Sequence, residues 1–249
     1  MSLPTINLCI IATNRYRSFL PAMLESARQY FCVEFPVTYR AWTDAPFHHP
    51  PLAKWCDGRL INHHVEHEPW PGVTLHRYRT ILTARQSLLE TGDFTFYCDA
   101  DMRFVKHFGE EILGSIVAVR HPGYVNIRPP QLPYERRPQS LAWVPTTQGF
   151  RYYAGGFQGG RTARYLAIAD ELNTRIAADE RTGIVAAWHD ESFWNWWLAQ
   201  PGNHPLDSCL DGRPLELSAD YCAGEGCGYS NQRTARLFSL KKDNASLQQ

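Results

Sequence analysis

The chain has 249 residues, 44% of them hydrophobic, with 25 Lys plus Arg set against 25 Asp plus Glu. That length holds one large domain or two small ones around an ordinary buried core. Neutral charge speaks against nucleic acid as a partner, so an anionic substrate must be held by a few placed cations or by a metal ion.

In chain order, Ile6 to Thr13 is a short apolar run bounded by Asn14, the pattern of a buried strand. Phe19 to Phe31 carries apolar residues at helical spacing, with Ser18 as candidate N-cap. Val37 to Trp42 reads as a second strand, Tyr78 to Leu89 as a helix, Phe94 to Cys98 as a third strand and Ile112 to Val119 as a fourth. This alternation predicts an α/β domain around a largely parallel sheet, in which ligands sit beyond the carboxyl ends of strands. Pro122 to Pro145 reads as a shaped loop region. Arg161 to Glu180 is an amphipathic helix, Phe193 to Gln200 a short aromatic one, and weak strands punctuated by Gly and Pro follow from Pro201. Residues 241–249 read as a mobile tail. No internal repeat is present. The opening residues lack a basic segment ahead of a long apolar one, and no stretch nears the ~20 apolar residues of a membrane span. The seven cysteines are irregularly spaced; Cys222 and Cys227 lack the second pair of a zinc knuckle, so reduced structural thiols are expected. A soluble, cytoplasmic protein is the expectation.

Chemistry concentrates in three segments. Asp99-Ala100-Asp101 ends the apolar run Phe94 to Cys98, where a turning backbone lets both carboxylates converge on one Mg²⁺ or Mn²⁺, with a diphosphate completing the shell. The plain alternative is a solvated acidic turn. Trp188-His189-Asp190-Glu191-Ser192 heads the aromatic helix; one acid can cap the helix while another faces a reacting carbon. The aromatics after it, Phe193, Trp194, Trp196 and Trp197, read as core. Tyr152 to Gly160 packs four glycines into six positions. It is neither a dinucleotide fingerprint nor a Walker loop, and reads as a flexible turn or as a backbone closely approached by a polar ligand. His63-His64-Val65-Glu66-His67 lacks the order of a zinc-protease motif and, next to Pro69 and Pro71, reads as a surface loop; His48-His49 reads as exposed.

Taken together these segments resemble glycosyltransferase family 6, which contains the blood-group A and B transferases and the α1,3-galactosyltransferase. The likeness runs in order from about Ile6 to Lys242. It rests on Ile11-Ala12-Thr13-Asn14-Arg15-Tyr16, Asp99-Ala100-Asp101-Met102 with Phe104, His121-Pro122-Gly123-Tyr124, Tyr134-Glu135-Arg136-Arg137-Pro138-Gln139-Ser140, Tyr152 to Gly160 and Trp188 to Ser192. The resemblance implies a GT-A fold, a Rossmann-like UDP-binding part (about 1–120) merged with an acceptor-binding part (about 121–240) in one catalytic domain. It also implies a retaining α1,3 transfer of GalNAc or Gal from a UDP-sugar to a galactoside glycan, with a fucosylated oligosaccharide or glycolipid as the expected acceptor. Carried over by residue, Ile11, Ala12, Thr13 and Tyr16 line the uridine pocket, and Arg85 lies near the donor sugar and Asp99. Asp99 and Asp101 hold Mn²⁺ (or Mg²⁺), Asp190 touches the donor sugar, and Glu191 is the catalytic carboxylate. His121 and Trp188 meet the acceptor, and Lys242 closes over the diphosphate. Ala154-Gly155-Gly156 matches the donor selector; its small residues leave room for an N-acetyl group, which favours UDP-GalNAc over UDP-Gal. The anchor and stem of animal members are not seen, which resembles the compact microbial or phage type. Rival readings are a metal-dependent phosphohydrolase using Asp99, Asp101 and His189, and a glycan-binding lectin suggested by the eight tryptophans.

Overall fold

The computed structural model describes residues 2–45, 59–205, 213–225 and 233–241. Strand β1 (Ile6–Ile11) leads through a 3₁₀ turn to helix α1 (Leu20–Tyr30), then β2 (Val37–Thr43) and β3 (Leu60–His64). Three short helices follow, α2 (Gly72–Leu75), α3 (Arg77–Leu82) and α4 (Arg85–Thr91), before β4 (Phe94–Cys98), β5 (Met102–Phe104) and β6 (Ile116–Arg120). After the 122–152 segment come β7 (Tyr153–Arg161), α5 (Thr162–Arg181), α6 (His189–Ala199) and the short strands β8 (Leu215–Leu217), β9 (Ala223–Gly224) and β10 (Leu237–Ser239).

One seven-stranded sheet runs in the order β3-β2-β1-β4-β7-β6-β8. It is parallel from β3 to β4, antiparallel on both sides of β7, and parallel again between β6 and β8. Side chains alternate across it. In β1, Ile6, Leu8 and Ile10 join α1 and the phenylalanines 31, 96, 104, 108 and 157 on one face. Cys9 and Ile11 join Trp42, Tyr97, Tyr165, Leu172, Phe193 and Trp194 on the other. A small second sheet, β5-β10-β9, lies beside the end of β4.

Several sequence expectations need correction. The predicted helix Tyr78 to Leu89 is interrupted, because the Thr83 hydroxyl donates to the Thr80 carbonyl and accepts from Trp42 Nε1, drawing the backbone out of the helical ladder. Ser18 does not cap α1; its hydroxyl bonds Arg15 O within the preceding turn. The predicted strand from Ile112 begins only at Ile116, since Glu110–Ile112 is a 3₁₀ turn. The glycine-rich segment is strand β7, an interior strand of the sheet buried at every residue but Arg161, rather than a turn. Its glycines admit close neighbours: a Cβ on Gly159 would stand 2.4 Å from Thr95 O and 2.5 Å from Phe96 Cδ1. His63 and His64 belong to β3, with His63 stacked on Trp42 at 4.6 Å. The Cys222–Cys227 pair, His48-His49 and Lys242 involve residues outside the described ones. Cys9, Cys32, Cys98 and Cys222 are free thiols, all buried.

Candidate active site

The carboxyl ends of β1 and β4 open into a cleft lined by Ile11, Thr13, Tyr16, His67, Trp70, Val73, Thr74, Arg77, Tyr97, Asp99, Ala100 and Asp101. Four expected donor-side residues, Ile11, Thr13, Tyr16 and Asp99, stand together here with Asp101. Ala12 lies behind them, fully buried, its N–H bonded to Trp42 O at 2.9 Å. His67, expected on a surface loop, lines the cleft: Thr13 Oγ1 lies 2.9 Å from its Nδ1. Among the described residues no group of three or more His, Cys, Asp or Glu gathers as a metal site.

Asp99 follows β4 directly. One carboxylate oxygen, Oδ1, accepts from Tyr97 OH at 2.7 Å and from Arg77 Nη2 at 3.1 Å. The other, Oδ2, faces Gly156, where a Cβ would come within 2.9 Å of it. Asp101 is 2% exposed.

Arg77 joins this end of the cleft to the next. Its Nη1 donates to Gly155 O and stands 2.9 Å from Asp190 Oδ2, while its guanidinium lies 4.2 Å from the centre of the Tyr97 ring. Burial would drive its proton off, but Asp190, Tyr97 and Asp99 hold it charged. The expected arginine, Arg85, is elsewhere: half-exposed at the start of α4, it faces Asp170 at 3.6 Å. Arg77 holds the place beside Asp99 because α3 sits against the sheet ends, whereas Arg85 begins the next helix and points outward. A basic residue eight positions upstream, on the buried face of its own short helix, was the signal available in the sequence.

The first turn of α6 supplies the second acidic pair. His189, at φ +50°, starts the helix in the left-handed region, a conformation that strains a side chain with a Cβ. Asp190 is fully buried, and its Oδ1 meets no hydrogen-bond donor among the described residues. Burial pushes its carboxyl up to about 7 against the pull of Arg77. Glu191 Oε2 accepts from Gly155 N–H at 2.7 Å. Burial pushes Glu191 up to about 7 as well, although the Gly155 N–H favours its charged form. Ala154, Gly155 and Gly156 therefore pass between the two acidic centres: Gly155 touches Glu191 and Arg77, and Gly156 faces Asp99 and Met102.

Beyond Glu191 lies an aromatic wall. Tyr152 faces the Glu191 carboxylate without closing an aligned hydrogen bond. Tyr124 stands 5.3 Å from Tyr152 and 4.7 Å from His121. Burial pushes His121 down to about 4, and its Nδ1 accepts from Gly123 N–H at 3.1 Å. The neutral ring thereby leaves Nε2 as a donor. Trp188 is 49% exposed, and its N–H is held by Ser192 Oγ at 2.9 Å.

The Tyr134 to Ser140 segment works as a strut. Buried Glu135 collects the Arg137 N–H and guanidinium and the Ala187 N–H, while Arg137 reaches Val185 O. Burial would raise Glu135, but these donors hold it at about 2. The loop that leads into Trp188 is anchored by this carboxylate.

Comparison with known proteins shows the family. The model for glycosyltransferase family 6 matches residues 2–208. The chain is 36% identical over 196 residues to the rat Histo-blood group ABO system transferase 2, covering 78% of this chain and 59% of that protein. It is 37% identical over 197 residues to the dog Globoside alpha-1,3-N-acetylgalactosaminyltransferase 1, covering 77% and 56%. It thus spans less than two thirds of the length of these mammalian relatives. With the Escherichia coli O-antigen biosynthesis glycosyltransferase WbnI it shares 30% identity over 243 residues, 97% of this chain and 96% of the other. Matched by the family model across most of its length, and by a bacterial relative end to end, the chain belongs to glycosyltransferase family 6.

Proposed function

We propose that this chain transfers GalNAc, or Gal, from a UDP-sugar to a galactoside glycan with retention of configuration, giving an α1,3 linkage. The observation that carries the reading is one guanidinium: Arg77 touches Asp99, Asp190 and Gly155 together, which supports taking the two acidic centres as the diphosphate end and the sugar end of one donor site. The reading is supported by the names of two relatives, one an alpha-1,3-N-acetylgalactosaminyltransferase and the other a histo-blood group ABO system transferase.

Asp99 and Asp101 fit Mn²⁺ or Mg²⁺. Two carboxylates with no third ligand gathered beside them among the described residues leave an oxygen-seeking cation to complete its shell from phosphate oxygens and water, as Mg²⁺ sites commonly do. Asp99 offers Oδ2, since Oδ1 is engaged by Tyr97 and Arg77. When bound, the cation would neutralise charge on the leaving diphosphate.

Ile11, Thr13, Tyr16 and His67 enclose the nucleoside. Asp190, with an oxygen free of donors, accepts from a sugar hydroxyl. Glu191 works as a carboxylate, either attacking the anomeric carbon or stabilising positive charge on it. Its bond to Gly155 fixes the oxygen that faces the sugar. On the acceptor side, His121 donates through Nε2 and Trp188 offers its exposed ring face. The small Ala154 and Gly156 favour the N-acetyl sugar; exclusion of the smaller Gal is weak, about 1–3 kcal/mol.

The test is transfer from UDP-GalNAc and UDP-Gal to galactosides, with and without fucose, in Mn²⁺. The expected result is transfer that stops in chelator and is lost in Asp101→Asn. Full activity in chelator would refute the metal role, and absence of UDP binding by calorimetry would favour a lectin.

A further inference from the structure

Strand β7 loses one of its neighbours where the site begins. The ladder with β4 ends at Cys98 opposite Phe157, while β6, after a register shift between Ala118 and Val119 that skips Gly155 to Phe157, pairs again with Ala154 and, through Arg120, with Tyr153. At Tyr153 the place of the missing strand is taken by one side chain. Asn195, fully buried in α6, accepts from Tyr153 N–H through Oδ1 at 2.8 Å and donates to Tyr153 O through Nδ2 at 2.8 Å. The same Nδ2 donates to Glu191 O at 3.0 Å, one helical turn back. A primary amide carries donor and acceptor on one planar group, as a peptide does, so Asn195 pairs with β7 as a strand would.

These bonds close a circuit. Two residues beyond Tyr153, Gly155 N–H holds Glu191 Oε2 at 2.7 Å. Glu191 is thus gripped at its main chain through Asn195 and at its carboxylate through Gly155, and both grips lead to the same stretch of β7. A displacement of α6 along β7 would break the two bonds to Tyr153 and the one to Gly155 together, while the Asn195–Glu191 bond, internal to α6, ties those grips to one another.

We propose that Asn195 is a positioning residue for transfer: it sets the Glu191 carboxylate against the Ala154-Gly155-Gly156 wall and so fixes the space left for the substituent of the donor sugar. The inference rests on the transferase reading. Asn195 touches no substrate and acts through Glu191 and β7. If it served only to satisfy buried backbone groups, its loss would lower stability and leave selectivity alone.

The experiment compares Asn195→Asp and Asn195→Leu in the full chain. Asn195→Asp keeps the acceptor for Tyr153 N–H but sets an oxygen against two carbonyls; Asn195→Leu removes all three bonds at similar volume. Expected are UDP affinity within about twofold of native, kcat lowered by about tenfold or more, and a UDP-GalNAc to UDP-Gal preference shifted by about threefold or more. Hydrogen exchange at the Gly155 amide should quicken by about tenfold while β1 amides stay protected. Folded variants with native kcat, native donor preference and native Gly155 exchange would overturn the proposal, whatever their Tm. Should Asn195→Leu fail to fold, Asn195→Asp decides by the same readings. A native chain that transfers from no UDP-sugar would sink the transferase reading instead, and Gly155 exchange would still decide what Asn195 does.

Discussion

Arg77 and Glu191 carry opposite electrostatic accounts, and the contrast is testable residue by residue. Arg77 is a buried cation paired to Asp190 and Asp99. Its removal strands a fully buried carboxylate, a loss of about 3–5 kcal/mol, part of which protonation of Asp190 recovers. Arg77→Ala should therefore lower both Tm and turnover steeply, whereas Arg85→Ala, at a half-exposed pair worth at most about 1 kcal/mol, should leave both near native. Equal losses in the two variants would overturn the assignment of Arg77. Glu191 is held in the fold with its pKa raised from 4.5 to about 7. A carboxyl raised on folding opposes folding once ionised: the penalty is absent below the unfolded value, grows between the two, and is complete above about 7. Glu191→Gln should accordingly raise stability at pH 8, by on the order of 3 kcal/mol, with the gain vanishing near pH 4. It should cut turnover by orders of magnitude while UDP still binds. On the proposed mechanism, in which Glu191 acts ionised, kcat/KM of the native chain should fall on the acid side of about pH 7.

At the scale of elements, β7 explains how the site was both visible and misread in the sequence. Its glycines were legible as a place where a ligand comes close; the close neighbours at Gly155 are the chain's own Arg77 and Glu191. They were not legible as a strand, because glycine is disfavoured in strands and only the neighbouring Thr95, Phe96 and Ser115 reveal why no Cβ fits at Gly159 and Gly160. Gly159→Ala should destabilise the chain by about 1–3 kcal/mol through overpacking, measured by urea unfolding. An unchanged midpoint would mean that β4 and β7 part more easily than their packing implies. The strut from Glu135 to Ala187 has the same lesson. Its residues were legible as a family motif, but their work, anchoring the loop before Trp188, lies in hydrogen bonds between segments about fifty residues apart.

At the scale of the whole molecule, the cleft draws on β1, the α2–α3 segment, β4 and, through Arg77, α6 and β7. A ligand gathering these parts stabilises the native state by mass action, about 2.7 kcal/mol at a hundredfold excess over Kd. UDP with Mn²⁺ should raise Tm by several degrees, and Asp101→Asn should abolish the metal-dependent part. A rise of the same size without metal would separate nucleotide binding from the two aspartates. Among the described residues no helix is long and apolar enough to cross a membrane.

The sequence by itself determined the α/β alternation, the bounds of β4 and the starts of β1 and β2, and it singled out Asp99, Asp101, Asp190 and Glu191 as candidate acids. These are local matters of side-chain periodicity and residue chemistry. Only the tertiary structure decided that Arg77 rather than Arg85 stands beside Asp99, that His67 lines the cleft, and that Asn195 replaces a strand. Each of these depends on which distant segment packs alongside, and spacing along the chain carries no record of that.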